Sequence, residues 1–113
     1  MRETPISRDA SRIEQAARQI AAAPDTPLTL AALADHADMS RYRFLRTFRQ
    51  IVGVTPYQYL LRMRLQAAAL QLRTASGSIT SIAYGVGFND LSTFNRRFRR
   101  IMGMTPRAWR SRR

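Results

Sequence analysis

One 13-residue segment occurs twice in this chain, as residues 44–56 and again as residues 94–106, with eight of the 13 positions identical. Each copy has two phenylalanines and an isoleucine at the i, i+4, i+7 spacing of a helix's apolar stripe. These residues are Phe44, Phe48 and Ile51 in the first copy, and Phe94, Phe98 and Ile101 in the second. Each copy then reaches a glycine and a Thr-Pro pair, the residue types that end one helix and begin the next. The repeat therefore constrains the chain to two similar helical halves.

Proline, glycine and capping residues divide the sequence into about seven helical segments. No segment alternates apolar and polar residues for long enough to predict a sheet. The predicted helices run approximately over Ser7–Ala23, Leu30–Ala37, Arg41–Val52, Pro56–Ala75, Ile79–Val86, Leu91–Met102 and a short stretch after Pro106 that holds Trp109. We predict an all-α fold with two helix-turn-helix subdomains joined by a long linker helix.

The domain organisation follows from this order. We predict an N-terminal segment with the first helix, a first helix-turn-helix, a linker helix, and a second helix-turn-helix with a C-terminal helix, over residues 1–27, 28–55, 56–77 and 78–113. Met39 and Phe88 fall in the two tight turns, where a buried apolar residue is expected. Ser40 and Asp90 are predicted to cap the helices that follow those turns.

Charge is distributed very unevenly along the chain. Residues 1–38 hold four arginines against six acids, a net of −2, whereas residues 39–113 hold 15 arginines against Asp90 alone, a net of +14; together they give +12. A field of this kind attracts a polyanion. Every basic residue is arginine, whose planar fork suits phosphates and guanine edges, although a coding bias towards arginine also explains the missing lysines.

Several classes of function lack the residues that they need. The chain has no cysteine and a single histidine, His36, so we predict no catalytic residues, no metal site and no cofactor. No uninterrupted apolar run of about 18 residues occurs, and charged residues fill the N-terminus, so neither a membrane span nor a signal peptide is predicted. We expect a cytoplasmic, nucleoid-associated protein.

The second helix of each predicted pair carries a polar face opposite its phenylalanines. Four positions fall between about 60° and about 160° from the second phenylalanine around the helix axis, forming one outward surface. This surface contains Tyr42, Leu45, Arg46 and Arg49 in the first copy, and Ser92, Asn95, Arg96 and Arg99 in the second. Such side chains can read base edges in a major groove: Asn pairs with adenine, Arg with guanine, and Leu or Tyr contacts a thymine methyl.

Roles within this surface are assigned by position. The predicted base readers are Tyr42, Leu45, Arg46, Ser92, Asn95 and Arg96. The predicted phosphate contacts, which fix register without reading sequence, are Arg41, Arg43, Arg49, Arg97, Arg99 and Arg100. Arg107, Arg110, Arg112 and Arg113 are expected to add non-specific attraction at the C-terminus. An arginine face is usually only a solvated surface, but its duplication favours a binding role.

The linker helix offers a geometric argument. About 20 helical residues span about 30 Å, whereas successive major-groove openings on one face of DNA lie about 34 Å apart. One chain can therefore fill two adjacent grooves, and tandem repeats would read a direct, non-palindromic pair of boxes. A rigid linker slightly shorter than that spacing would require bent DNA.

The second half of the chain carries the pattern Ile79-x-x-Ile82-Ala83-x-x-x-Gly87-Phe88-x-x-x-Ser92-x-Phe94-x-Arg96-x-Phe98-Arg99-Arg100-x-x-Gly103-x-Thr105-Pro106-x-x-Trp109-Arg110. This pattern resembles the signature of the AraC/XylS family of bacterial transcription regulators. Trp109 departs from it, because the family usually has tyrosine there. The first copy fits through Leu33, Ala34, Ser40, Leu45, Phe48, Gly53, Pro56 and Tyr59, followed by Arg64 and Ala68 on the linker.

The resemblance implies a seven-helix, homeodomain-like DNA-binding domain that acts mostly as an activator. Its implied partners are double-stranded DNA and RNA polymerase, without a membrane, and the isolated domain is expected to be monomeric. Most relatives also carry a sensing domain, so the chain resembles either a small single-domain activator or, as we favour, the C-terminal piece of a longer regulator. Leu45 replaces a polar reader of the family, which makes the first helix depend on methyl contact and on Arg46.

Two other classes use the same charge. A sequence-independent RNA-binding or architectural protein would bind polyanions with little base discrimination. A module that only recruits polymerase would need no DNA site. The mixture of polar and apolar side chains on the repeated face favours sequence-specific DNA binding over both.

Overall fold

The computed structural model describes residues 5–112, and over that range the protein has seven helices and no strand. They are α1 (Pro5–Ala22), α2 (Leu30–His36), α3 (Arg41–Val52), α4 (Pro56–Thr74), α5 (Ile79–Gly85), α6 (Leu91–Met102) and α7 (Pro106–Ser111). The predicted all-α fold class is confirmed. The two helices of the 13-residue repeat, α3 and α6, begin and end at the predicted residues, and the other bounds differ by one or two residues.

The chain divides into two compact units. The first comprises residues 5–23 and 27–60, and the second comprises residues 24–26 and 61–112 of the described range. The predicted four-segment organisation stays a prediction, but the division adds one point: most of α4 belongs to the second unit rather than standing apart as a linker.

The first unit is built around the two phenylalanines of α3. Phe44 and Phe48 are fully buried, and their rings lie 5.7 Å apart. Apolar residues of α1 and α2, including Ile13 and Leu33, are buried with them in this unit. The ring of Phe48 also meets Tyr59 edge-on at 5.9 Å, an aromatic geometry that adds to area burial.

The second unit repeats this arrangement on α6. Phe94 and Phe98 are fully buried with their rings 5.6 Å apart, and Phe98 meets Trp109 edge-on at 5.9 Å. Helix α4 supplies one wall of the core through Leu61, Leu65, Ala68, Ala69 and Leu72. The spacing of the repeat therefore fixes the same roll of α3 and α6 about their own axes.

The predicted apolar stripe is wrong at its third position. Ile51 and Ile101 are 41% and 45% exposed, whereas the next residues, Val52 and Met102, are half-buried. Phe44, Phe48 and Val52 form one i, i+4, i+8 row, and Ile51 lies about 60° from Phe48 around the helix axis. Burial in the last turn depends on which side of the helix the rest of the same chain covers. The covered side is the row that includes Val52.

The two turns have the same conformation with different residues. Asp38 and Gly87, 49 positions apart, both have left-handed backbone, with φ of 56° and 108°. Met39 and Phe88 follow them and are buried, as predicted for turn residues that plug a helix pair. Left-handed backbone is strained for most side chains but open to glycine and tolerated by aspartate.

Candidate nucleic-acid interface

The start of α3 is fixed by its cap and its roll is fixed by its core residues. The Ser40 hydroxyl accepts a hydrogen bond from the backbone N–H of Arg43 at 3.2 Å, as predicted for an N-cap. Because Phe44 and Phe48 are buried, the opposite side of α3 lies in solvent. Tyr42 is 73% exposed and Leu45 is 38% exposed, and Arg46 and Arg49 are also exposed.

Helix α6 presents the equivalent surface in the second unit. Ser92, Asn95, Arg96 and Arg99 are exposed, while Phe94 and Phe98 hold the opposite side in the core. All six predicted base readers are therefore exposed, three on each helix. Their contact with DNA stays a prediction.

Asp90 caps α6 as predicted. Its carboxylate accepts a hydrogen bond from the backbone N–H of Ser92 at 3.0 Å and from the Thr93 hydroxyl at 2.5 Å. These two bonds, the Thr93 bond first, lower the pKa of Asp90, and the charge of Arg96 lowers it further. A carboxylate at a helix N-terminus is also favoured by the helix dipole. The cap thus fixes the first turn of α6, which contains Ser92.

The predicted base-reading surface of α3 borders an apolar groove of about 350 Å³. Leu45 lies between this groove and a shallow depression that contains Tyr42, Arg46 and Arg49. The groove is lined by Ile20, Leu28, Leu30, Leu33, Leu45, Thr55, Pro56, Tyr57 and Leu60. Sequence periodicity did not point to it, because Leu30 and Tyr57 belong to different helices.

The second unit has a groove at the equivalent place with different chemistry. Leu45 of the first groove corresponds to Asn95 here, and Tyr57 corresponds to Arg107. Thr55 and Pro56 correspond to Thr105 and Pro106, which are unchanged. The scaffold is therefore repeated, and both grooves are mostly apolar, but Asn95 and Arg107 add polar groups beside α6 where Leu45 and Tyr57 lie beside α3.

The predicted phosphate contacts fall into three situations. Arg41, Arg49, Arg99 and Arg100 are exposed, and Arg97 is half-buried. Arg43 donates from Nη2 to both carboxylate oxygens of Asp9, at 2.8 Å and 2.6 Å, so its guanidinium is held by α1. Its side chain is still 51% exposed. Asp9 was not anticipated from the sequence, since it lies 34 positions from Arg43.

The C-terminal arginines do not all remain in solvent. Arg110 is half-buried and donates to the carbonyl oxygens of Leu72 and Ala75, both at 3.1 Å. These bonds satisfy carbonyls at the end of α4, which lack helical partners. Arg110 therefore also has a structural role in the second unit, and its non-specific attraction of DNA stays a prediction. Arg107 and Arg112 are exposed, and Arg113 lies outside the described residues.

Residues 5–112 lack the features of two other functional classes. No three His, Asp or Glu side chains gather there in a way that could hold a metal ion, and His36 is exposed. No helix in this range is long and apolar enough to cross a membrane.

Comparison with known proteins identifies the family to which the repeated scaffold belongs. The family model described as a helix-turn-helix domain matches residues 33–112, which include both helix pairs and the signature around α6. The chain belongs to the AraC-type helix-turn-helix family. An AraC-type domain binds DNA in transcription regulation, and the relatives matched here are regulators rather than enzymes.

Three relatives illustrate the likeness. The transcriptional activator RhaS of Escherichia coli O9:H4 is 41% identical over 76 residues, 67% of this chain and 27% of RhaS. An AraC-type regulator of Chromobacterium violaceum has a solved structure with a TM-score of 0.83 and 30% identity, covering 89% of this chain and 90% of that one. The DNA-binding domain of AdpA, solved in complex with a target DNA, has a TM-score of 0.74 and 29% identity, covering 96% and 92%.

The chain matches only part of the length of its curated relatives. The chain spans about three tenths of the length of the curated relatives that it matches. It corresponds to the DNA-binding part of an AraC-type regulator.

Proposed function

We propose that this domain binds a specific, non-palindromic double-stranded DNA site and activates transcription from it. In the proposal, α3 and α6 enter two adjacent major grooves and read two short boxes in direct orientation. The observation that carries it is the same exposed face on two copies of one scaffold, each face mixing arginine with other base-reading side chains. Tandem copies within one chain supply both reading helices, so the isolated domain acts as a monomer.

The two helices are proposed to read different chemistry. Arg46 and Arg96 take guanine edges, and Asn95 takes adenine. The Ser92 hydroxyl can accept or donate a hydrogen bond, so it can pair with several bases. Tyr42 is the most exposed of the large apolar side chains, and with the partly sheltered Leu45 it is proposed to contact pyrimidine methyl groups. The first box is then expected to be richer in thymine than the second.

Phosphate contacts are proposed for Arg41, Arg49, Arg97, Arg99 and Arg100, which flank the two faces. Arg43 is also proposed to reach a phosphate with the exposed part of its guanidinium while Asp9 holds it. An ion pair of this kind fixes the side chain before DNA arrives and so reduces the entropy lost on binding. Together these residues give the salt dependence expected of a DNA-binding domain.

The length of α4 supports the use of two grooves and DNA bending. Its 19 residues correspond to about 28 Å of helix, compared with about 34 Å between groove openings. Bending a site of this size costs on the order of 1 to 6 kcal/mol. A gel-mobility assay with the site placed at different positions along a duplex tests this part, because an undeflected duplex contradicts it.

Activation, the polymerase partner and the cellular location are proposals from the family. RhaS is named as an activator, and we propose that this domain likewise recruits RNA polymerase when bound to DNA. We also propose that it works in the cytoplasm on the nucleoid. A reporter gene with the selected site upstream of a weak promoter tests activation: reduced expression would make the domain a repressor.

The alternative is a basic, sequence-independent nucleic-acid binder. Selection of bound sequences from a random duplex pool at about 150 mM salt separates the two, because phosphate-only binding weakens alike for every sequence. Two enriched boxes about one helical turn apart in direct orientation support the proposal. A single enriched box would mean that one of the two repeats only anchors the domain to the DNA backbone. A pool with no enrichment favours the sequence-independent binder.

A further inference from the structure

Arg64 on α4 is half-buried and joins two loops of the second unit. Its Nε donates to the carbonyl oxygen of Pro24 at 2.7 Å, a short, charge-assisted bond. This bond spans 40 positions of sequence and fixes the guanidinium between the Pro24 peptide and the turn that precedes α6.

Gly87 is the residue of that turn against which the guanidinium lies. A Cβ at Gly87 would come within 2.7 Å of Arg64 Nε, 2.9 Å of Cζ and 3.2 Å of Nη2. Two of these distances are below 3.0 Å, so a side chain at position 87 would have to displace the Arg64 guanidinium or the turn itself. Glycine therefore suits this position in two ways, through its left-handed φ of 108° and through the close approach of Arg64.

The turn at Gly87 leads directly into the base-reading helix. Phe88 is buried, and its ring packs edge-on against Phe94 at 5.2 Å. Asp90 then caps α6 beside Ser92. A displacement of the turn backbone at Gly87 would therefore move the first turn of α6, which carries the residues proposed to meet DNA.

We propose that Arg64 is a positioning residue for the second DNA box. It touches no base; it sets how α6 is presented by holding the Gly87 turn at a fixed distance from α4. This inference rests on the proposed two-box function. It assigns to a side chain of the long helix a share of the specificity delivered by Ser92, Asn95 and Arg96.

The test compares Arg64→Lys and Arg64→Met with Arg62→Met. Arg62 is an exposed arginine on the same helix, so its removal controls for lost charge. Affinity is measured by fluorescence anisotropy at about 150 mM salt for the selected site, for a site with box 1 scrambled and for a site with box 2 scrambled. Circular dichroism and Trp109 fluorescence establish that each variant is folded at the assay temperature.

We expect both Arg64 variants to reduce the affinity ratio between intact and box-2-scrambled DNA by about tenfold, the scale of one good base contact, with the box-1 ratio unchanged. Arg64→Lys keeps the charge but not the planar fork, so it should fail like Arg64→Met. Arg62→Met should weaken all three DNAs equally.

Three results overturn the assignment. One is a box-2 ratio in folded Arg64 variants that equals the wild-type ratio. Another is equal weakening of all DNAs. The third is loss of the folded second unit in both variants, which makes Arg64 a residue of stability alone. A wild-type protein that distinguishes neither box would instead contradict the proposed function itself.

Discussion

The indole N–H of Trp109 donates to the carbonyl oxygen of Ala69 at 3.0 Å, tying α7 to the C-terminal half of α4. The guanidinium of Arg73 lies over the same ring, 4.3 Å from its centroid. A cation over an indole face and a satisfied indole N–H both favour this position. The family usually has tyrosine here, and the larger indole is accommodated by these two contacts.

Trp109→Phe should destabilise the second unit by about 1 to 2 kcal/mol, because it removes one hydrogen bond and weakens the cation–π contact. Urea unfolding followed by circular dichroism measures this change. Trp109→Tyr, which restores the usual family residue, should be milder. Equal stability of Trp109→Phe and the wild type would mean that the Ala69 hydrogen bond contributes nothing net.

Phe98→Ala should destabilise the second unit by about 3 to 5 kcal/mol, since a fully buried ring leaves a cavity. Ile101→Ala is the matched control on the same helix. Its side chain is exposed, so the change should stay within about 0.5 kcal/mol. Thermal melting of both variants measures the two changes in stability. A large loss of stability from Ile101→Ala would mean that Ile101 belongs to the buried stripe of α6 after all.

Asp90 should make the second unit sensitive to acid. Its pKa in the folded protein is lowered by its hydrogen bonds to Thr93 and Ser92, so its contribution is complete above the unfolded pKa of about 4. That contribution is lost as pH falls through the lower folded value. Asp90→Asn should remove this part of the pH dependence in denaturant melts between about pH 5 and pH 2, whereas Asp38→Asn, at an exposed turn position, is the control. Parallel pH curves for the wild type and Asp90→Asn would contradict the assignment.

Arg96→Ala should cost about 1 to 3 kcal/mol on the selected site and relax preference at one base pair. Arg100→Ala, which removes a proposed phosphate contact, should weaken specific and random DNA alike and reduce the salt slope by about one. Competition binding with both DNAs at several salt concentrations separates these outcomes. Equal losses from Arg96→Ala on specific and random DNA would move Arg96 to the phosphate contacts.

Replacing thymine by uracil in the first box should weaken binding, because only the C5 methyl group is removed. The loss should be about threefold to tenfold at a contacted position and should shrink in Leu45→Ala or Tyr42→Ala. The same replacement in the second box, proposed to be read by Ser92, Asn95 and Arg96, should have a smaller effect. Unchanged affinity for uracil-substituted box 1 would remove methyl contact from the proposal.

Local signals were predicted well from the sequence. Ser40 and Asp90 cap their helices, Gly53 and Gly103 end them, and the bounds of α3 and α6 follow from these residues alone. Each of these features depends on backbone groups only a few positions away. The exposure of the six predicted base-reading side chains also follows from the buried phenylalanines, because a helix of known roll has a known outer face.

Contacts between distant positions were not predictable in the same way. The pair of Arg43 and Asp9, the Arg64–Pro24 bond and the Arg110 bonds to α4 join residues 34 to 40 positions apart. An arginine in the sequence looks the same whether it reaches DNA or holds a loop. The exposure of Ile51 was equally unpredictable, because it depends on which distant segment of the same chain covers the last turn of α3.

The chemical difference between the two grooves has a consequence for how such a protein diversifies. Leu45 and Asn95 occupy equivalent places in two units that each have their own buried phenylalanine pair. Under the proposed two-box function, each half of the target site could then change independently, while the unchanged half keeps the chain on DNA.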